Sequence, residues 1–197
     1  MKHLQHWIFD LDGTLTVAQH DFDAIRVELG VPPGMLILEY IDQCAEEKAA
    51  SLTRRLRAIE HQLATESQPA DGAIEFLETL CDSNVTLGIL TRNTRSNALT
   101  SLSSTGLARY FEHGNIIGRE EATPKPAPDG IFHLMSQWQA ESSNTVMVGD
   151  FRFDLEAGRA AEVHTVHIAA TSAEHWPDVT DHRFSSLASL AEVYRSS

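Results

Sequence analysis

Four short stretches of this sequence hold the side chains that could do chemistry together. Asp10 and Asp12 stand two apart in Phe9-Asp10-Leu11-Asp12-Gly13-Thr14. Thr91, Arg92 and Asn93 follow Leu90, and Lys125 lies among prolines in Thr123-Pro124-Lys125-Pro126-Ala127-Pro128-Asp129. Asp150 closes Val148-Gly149-Asp150, and Asp154 follows it by four residues, one helical turn, so both can face one spot. Two residues of extended chain separate Asp10 from Asp12 by roughly 6.6 Å. At an effective dielectric near 20 such a carboxylate pair repels by about 2.5 kcal/mol. Four converging acids therefore require protonation or a cation. Oxygen ligands with no histidine or cysteine cluster beside them point to Mg²⁺ rather than zinc. A hydroxyl and backbone N–H groups at Thr91–Asn93 suit a phosphoryl oxygen, and prolines on both sides of Lys125 stiffen its presentation. Each stretch alone has a plainer reading: Asp12-Gly13 as an ordinary turn, Lys125 as an exposed loop residue, Arg92 as a surface charge at a strand end.

The elements that would position these residues read as a parallel α/β sheet. Five β-rich apolar runs occur at Trp7–Asp12, Val85–Thr91, Asn115–Gly118, Thr145–Asp150 and His164–Ala169. The first, second and fourth are nearly continuous apolar stretches ending in a polar or charged residue, the pattern of strands buried on both faces. Helical patterns lie between them: Ala73–Leu80 with apolar residues at Ile74, Leu77 and Leu80, Ser96–Leu107, Asp129–Gln137 and Leu155–Ala161. Alternation of strands and helices implies an open sheet, and ligands of such sheets bind beyond the carboxyl ends of the strands. That is where Asp10, Thr91 and Asp150 fall. The stretch from 18 to 68 holds no strand pattern. Cys44–Thr65 is strongly helical, with Leu52, Leu56, Ile59 and Leu63 on one face, and its charges Glu46, Glu47, Lys48, Arg54, Arg55, Arg57 and Glu60 read as a solvated face rather than a partner surface. We expect a core of residues 1–17 and 69–197 with an all-helical cap, 18–68, inserted after the first strand. From about His182 the tail reads as ending in a short helix with Leu187, Leu190 and Val193.

Composition limits the partners. The chain has 197 residues, 42% of them apolar, and a formal net charge of −13, enough for one domain plus a modest insertion. So acidic a protein is a poor candidate for nonspecific binding to nucleic acid or anionic membrane. An anionic ligand would have to be drawn by a few local positive charges. Cys44 and Cys81, far apart, read as free thiols of a reducing compartment. No leader pattern precedes Trp7 and no apolar run approaches the roughly 20 residues of a membrane span, so a cytoplasmic location is expected. His164, His167 and His175 show no ligand spacing.

With these residues in register, the sequence resembles the haloacid dehalogenase-like (HAD) hydrolase superfamily, in its phosphoglycolate-phosphatase-like branch with a small helical cap. The resemblance rests on Asp10-Leu11-Asp12-Gly13-Thr14, Thr91, Lys125 within Lys-Pro-Ala-Pro-Asp, and Gly149-Asp150 with Asp154, whose span covers most of the chain. It implies a three-layer Rossmann-like core and hydrolysis of a small-molecule phosphate ester through an aspartyl-phosphate on Asp10. Asp12 would be the general acid and base. Thr91 and Lys125 would hold phosphoryl oxygens, with Arg92 and Asn93 as further substrate contacts. Mg²⁺ would sit on Asp10, the Asp12 backbone carbonyl and Asp150, with Asp154 in or near the shell. Asp12 separates this chain from the superfamily's dehalogenases, because an alkoxide leaving group needs a proton and a halide does not. Two other outcomes stay open: a phosphomutase resembling β-phosphoglucomutase, and a non-catalytic member serving as an interaction module. Asp10 and Thr91 lie only 81 positions apart, leaving a cap smaller than those of phosphoglycolate phosphatases. A more open site and a broader or larger substrate are expected. His20, Asp21, Asp23 and Arg26 could line its entrance, or be helix-start acids with a solvated arginine.

Overall fold

A computed structural model of the chain describes residues 1–18, 21–169 and 175–196. Strands β1 (His6–Phe9), β2 (Thr86–Leu90), β3 (Ile116–Ile117), β4 (Thr145–Gly149), β5 (His164–Ile168) and β6 (His182–Phe184) form one sheet in the order β3-β2-β1-β4-β5-β6. Every adjacent pair is parallel. The chain runs outward from β1 through β2 to β3, then returns to the other side of β1 and runs outward again. The switch in direction therefore lies between β1 and β4, the position at which such sheets open a crevice for ligands.

Strand periodicity builds the layers. Trp7 and Phe9 of β1 point to one face and Ile8 to the other, all fully buried. The Trp7 face is covered by α4 (Ala73–Asp82), α5 (Arg95–Ser104) and α8 (Leu187–Ser196), through Phe76, Leu77, Leu102, Leu190 and Tyr194. Trp7 meets Phe76 and Tyr194 edge-on, with ring centroids 5.3 and 5.7 Å apart, contacts worth about 0.5–1.5 kcal/mol each beyond their burial. The Ile8 face packs on α6 (Asp129–Trp138) and α7 (Arg152–Ala160) through Ile131, Leu134 and Ala157. The result is the three-layer α/β/α architecture expected from the alternation of elements.

Between β1 and α4 the chain leaves the sheet and comes back beside itself. Val17 N donates to Gln68 O at 2.9 Å and Ala70 N to Leu15 O at 2.9 Å. The intervening residues include α1 (Phe22–Leu29), α2 (Ile37–Asp42) and α3 (Glu46–Thr65). These helices share their own apolar cluster, made by Ile25, Leu29, Ile37, Ile41, Leu52 and Leu56, with Ile59 and Leu63 packed against it. Asp21 caps α1 by accepting from Ala24 N at 2.9 Å, and Glu46 and Glu47 favour the α3 N-terminus. Among the described residues no helix is long and apolar enough to cross a membrane, and Cys44 and Cys81 are separate free thiols.

One detail of the sequence reading needs correction, and the structure adds three others. Glu60 does not belong to the solvated face of α3: it is 8% exposed, and Arg119 donates to its two oxygens at 2.6 and 2.9 Å. Ile74 is exposed while Phe76 packs inward, because α4 lies on the sheet about one residue round from the face that Ile74 suggested. Val193 is likewise exposed, and Tyr194 fills the core beside it. His182–Phe184 forms the edge strand β6 ahead of the terminal helix.

The Glu60–Arg119 pair joins α3 to the loop after β3, with both side chains 10% exposed. Removing one partner of a buried pair strands the other charge, at about 3–5 kcal/mol. Glu60→Ala is expected to lower stability by that order in urea unfolding. The Glu60→Leu/Arg119→Met double variant, which buries no lone charge, should lose clearly less. Equal losses in the two proteins would contradict the burial argument.

Candidate active site

Asp10 directly follows β1, and its backbone N–H extends the ladder to Val148 O at 2.8 Å. The side chain is thereby fixed at the carboxyl edge of the central strand, 7% exposed. Lys125 reaches it from the loop ahead of α6. The ammonium donates to Asp10 Oδ1 at 2.5 Å and Leu90 O at 2.7 Å, and lies 2.6 Å from Asp154 Oδ1. Three donors meet three oxygens, so a lysine only 2% exposed is fully satisfied. Burial alone would lower its pKa, but the carboxylates of Asp10 and Asp154 outweigh that and raise it. Lys125 is a fixed positive charge.

The acids crowd one another. Carboxylate oxygens of Asp10, Asp150 and Asp154 all lie within 4.8 Å of one another. Burial, then neighbouring acids, raise Asp10 well above the ordinary carboxylate range despite the opposing pull of Lys125. Asp150 is pushed up to about 7, by burial first and Asp154 second. One lysine does not balance three carboxylates, and an all-oxygen donor set of this spacing suits a hard divalent cation. The backbone is shaped to allow the crowding. Gly13 has φ +97°, and a Cβ there would lie 2.4 Å from Asp150 Oδ2. A Cβ on Gly149 would lie 2.2 Å from Asp154 Cβ. Asp154 is steadied by Phe151 N, which donates to its Oδ2 at 3.0 Å, and Thr14 Oγ1 donates to Asp150 Oδ1 at 3.3 Å.

Asp12 stands apart from this trio. Asn93 Nδ2 donates to its Oδ2 at 3.4 Å, while Asn93 Oδ1 accepts from Thr94 N at 2.8 Å and Asn97 Nδ2 at 3.0 Å. Asn93 is therefore held at the start of α5 and in turn orients Asp12. Thr91 is 2% exposed, and its Oγ1 accepts from Asn93 N at 3.0 Å, which leaves its hydroxyl proton for another partner. Arg92 borders the same cavity with its guanidinium engaged: on Glu39 at 3.0 Å, on Lys125 O, and over the Phe153 ring at 4.9 Å.

Asp10, Asp12, Thr91, Arg92, Asn93, Lys125, Asp150 and Asp154 thus all line one cavity of about 340 Å³, although they come from four separate stretches. Of the residues after the first stretch, Arg26 lines the cavity too and pairs with Asp23 at 2.7 Å; Asp21 is a helix cap, and His20 lies outside the described residues. Sequence reasoning missed the supporting residues. His167 is fully buried, held neutral by burial, and its Nε2–H donates to Asp150 O at 3.1 Å. Its place in the last buried strand, beside the strand that ends in Asp150, was the available signal. Phe151 and Phe153 line the cavity, and their position between two acids of one stretch could have flagged them.

Comparison with known proteins agrees with this geometry. The family model described as "Haloacid dehalogenase-like hydrolase" matches residues 16–168. The match starts after Asp12 and so does not include the two acids of the first stretch. A Saccharomyces cerevisiae protein called "Uncharacterized hydrolase YOR131C" is 30% identical over 169 residues, covering 84% of this chain and 78% of its own length. The pyrophosphatase PpaX of Oceanobacillus iheyensis is 27% identical over 179 residues, 82% of each chain. A hydrolase structure from Pseudomonas syringae superposes with TM-score 0.80 at 21% identity, over 98% of both chains, and so shares the fold. An acid-and-lysine cluster at the switch point of a parallel sheet, a matching family model and a relative of this coverage all lead to one assignment: the chain belongs to the haloacid dehalogenase-like hydrolase family.

Proposed function

We propose that the chain is a Mg²⁺-dependent phosphatase that hydrolyses a small-molecule phosphomonoester through a phosphoaspartate on Asp10. The observation that carries the reading is the position of Asp10: the end of the central strand, with Lys125 on Oδ1 and two more acids alongside. Lys125 fixes one oxygen and leaves Oδ2 to attack phosphorus. As the Asp10–phosphorus bond forms, the bond to the ester oxygen breaks, and Asp12 gives that oxygen a proton. Water then attacks phosphorus while Asp12 takes up the proton, which releases phosphate and restores Asp10. Splitting one displacement into two lowers each barrier, and the acid–base partner contributes about 10²- to 10⁴-fold. Thr91 Oγ1–H holds one phosphoryl oxygen, the Lys125 ammonium holds another by exchanging one of its three present acceptors, and Asn93 keeps Asp12 aimed. Asp10, Asp150 and Asp154, with the Asp12 main-chain carbonyl, are the residues that would hold Mg²⁺; when bound, it supplies positive charge opposite the transferring phosphoryl group. In this reading residues 18–68 are a cap over a core made by 1–17 and 69–197.

The test uses leaving groups of different acidity. Asp10→Asn should abolish Mg²⁺-dependent phosphate release from p-nitrophenyl phosphate. Asp12→Asn should lower kcat by about 10²- to 10⁴-fold on alkyl phosphates, and by much less on p-nitrophenyl phosphate, whose leaving group scarcely needs a proton. A uniform loss across the series would contradict the assigned role of Asp12.

Acid crowding gives a second prediction, on stability. The folded-state pKa of Asp150, about 7, lies above the ordinary carboxylate value. Between those values the folded state binds the extra proton, so this group's contribution is complete at low pH and is lost as pH rises through 7. In EDTA, Tm should therefore fall between pH 5 and pH 7.5, and Asp150→Asn should flatten the fall. Mg²⁺ must displace that proton, so its stabilising effect should be larger at pH 8 than at pH 6. A magnesium effect independent of pH would count against these ligands.

A further inference from the structure

Above the acids the cavity changes character. Leu36, Ile37 and Leu38, at the start of α2, and Phe151 and Phe153 face the same space. Leu36 and Phe151 remain 38% and 45% exposed. A solvent-facing apolar wall beside a catalytic floor is a place for an apolar group.

The charges around the wall sharpen this. Four cationic side chains border the cavity: Arg26, Arg92, Arg119 and Lys125. Lys125 is held by the catalytic acids. Arg26 donates to Asp23 at 2.7 Å and to Met35 O at 2.9 Å. Arg92 is divided among Glu39, a backbone carbonyl and the Phe153 ring. Arg119 has both terminal nitrogens on Glu60. Among the described residues, every cation lining the cavity is thus already matched by an acid of the protein. Lys125 and a divalent ion together carry no more charge than Asp10, Asp150 and Asp154 carry in the opposite sense when the ion is bound. One phosphoryl group has a place here, and a second anionic group has none.

Resting on the phosphatase reading, we infer that the substrate is a phosphomonoester with an uncharged, largely apolar leaving group. The segment Leu36–Leu38, with Phe151 and Phe153, selects it, and the Glu39–Arg92 pair withholds the cation that a second anion would need. Substrates such as phosphoglycolate and pyrophosphate, with a carboxylate or another phosphate beside the scissile bond, are disfavoured by the same arrangement.

A matched pair of compounds isolates the charge: benzyl phosphate and 4-carboxybenzyl phosphate, which share a skeleton and differ by one carboxylate. With Mg²⁺, wild type should show kcat/KM for the neutral compound higher by on the order of tenfold or more, and phosphoglycolate should be poorer still. Glu39→Gln, which removes the carboxylate holding Arg92, should narrow the ratio about tenfold, mainly through a lower KM for the carboxylated compound. Leu38→Arg should do the same by adding a cation to the wall. Equal or faster turnover of 4-carboxybenzyl phosphate or phosphoglycolate by wild type, abolished in Asp10→Asn, would overturn this inference and leave the phosphatase reading intact. Absence of any Asp10-dependent phosphate release from either compound would remove both.

Discussion

The arrangement at this site depends on burying one lysine. An ammonium inside a protein loses hydration worth several kcal/mol, and Lys125 tolerates this because three oxygens replace the lost water. Those oxygens come from the residue after β1, from the end of β2 and from α7 behind β4. The lysine therefore stays charged only where three neighbouring strands end in register, and the strands meet there without electrostatic conflict only when the lysine is present. Fold and site specify each other through this group. The approach is close enough to leave no room for a side chain at Gly149, and none at Gly13, which explains why glycine stands beside each acid pair.

How far the sequence could be read follows from how local each constraint is. β1, β2 and β4 were legible because burial on both faces writes itself as an uninterrupted apolar run. Asp10, Lys125 and Asp150 were legible because each stands at the end of such a run or in a stiffened loop. Glu60 was not: on a helix rich in Glu and Arg it looks like its solvated neighbours, and its partner Arg119 is 59 residues away. β6 has three residues, His182–Phe184, at the sheet edge, too short and too polar for a strand period to show. The choice between Ile74 and Phe76 turned on a rotation of α4 about its axis, which the spacing of apolar residues leaves open by one position. His167 could be placed in a strand from its neighbours, but the bond to Asp150 O is a matter of register between β4 and β5. The resemblance named the candidate site residues and was silent on all of these supports.

Besides the packing of α3 on α5, charge pairs of graded burial join α2 and α3 to the rest of the molecule. Arg57–Glu120, with side chains 57% and 49% exposed, contributes little, as exposed pairs do. Arg92–Glu39 is intermediate, at 25% and 44%. Arg119–Glu60 is nearly enclosed. Only the last resists breakage strongly, and it sits at the point where α3 passes the loop after β3.

A protein of net charge −13 that handles a phosphate dianion has to work against its own field. It does so by confining positive charge rather than spreading it. Lys125 lies beneath the cavity at the strand ends, screened from solvent, where each charge acts through a low effective dielectric. The arginines that could have made a basic funnel are each neutralised by a carboxylate of the chain. In the proposed reading, long-range attraction of anions is given up and recognition passes to contact: one phosphoryl group would meet Lys125 and a divalent ion, with the remainder of the ligand judged by fit against the apolar wall. Selectivity built this way does not rest on surface charge, and it should be much less sensitive to ionic strength than that of an enzyme that draws its substrate in with free arginines.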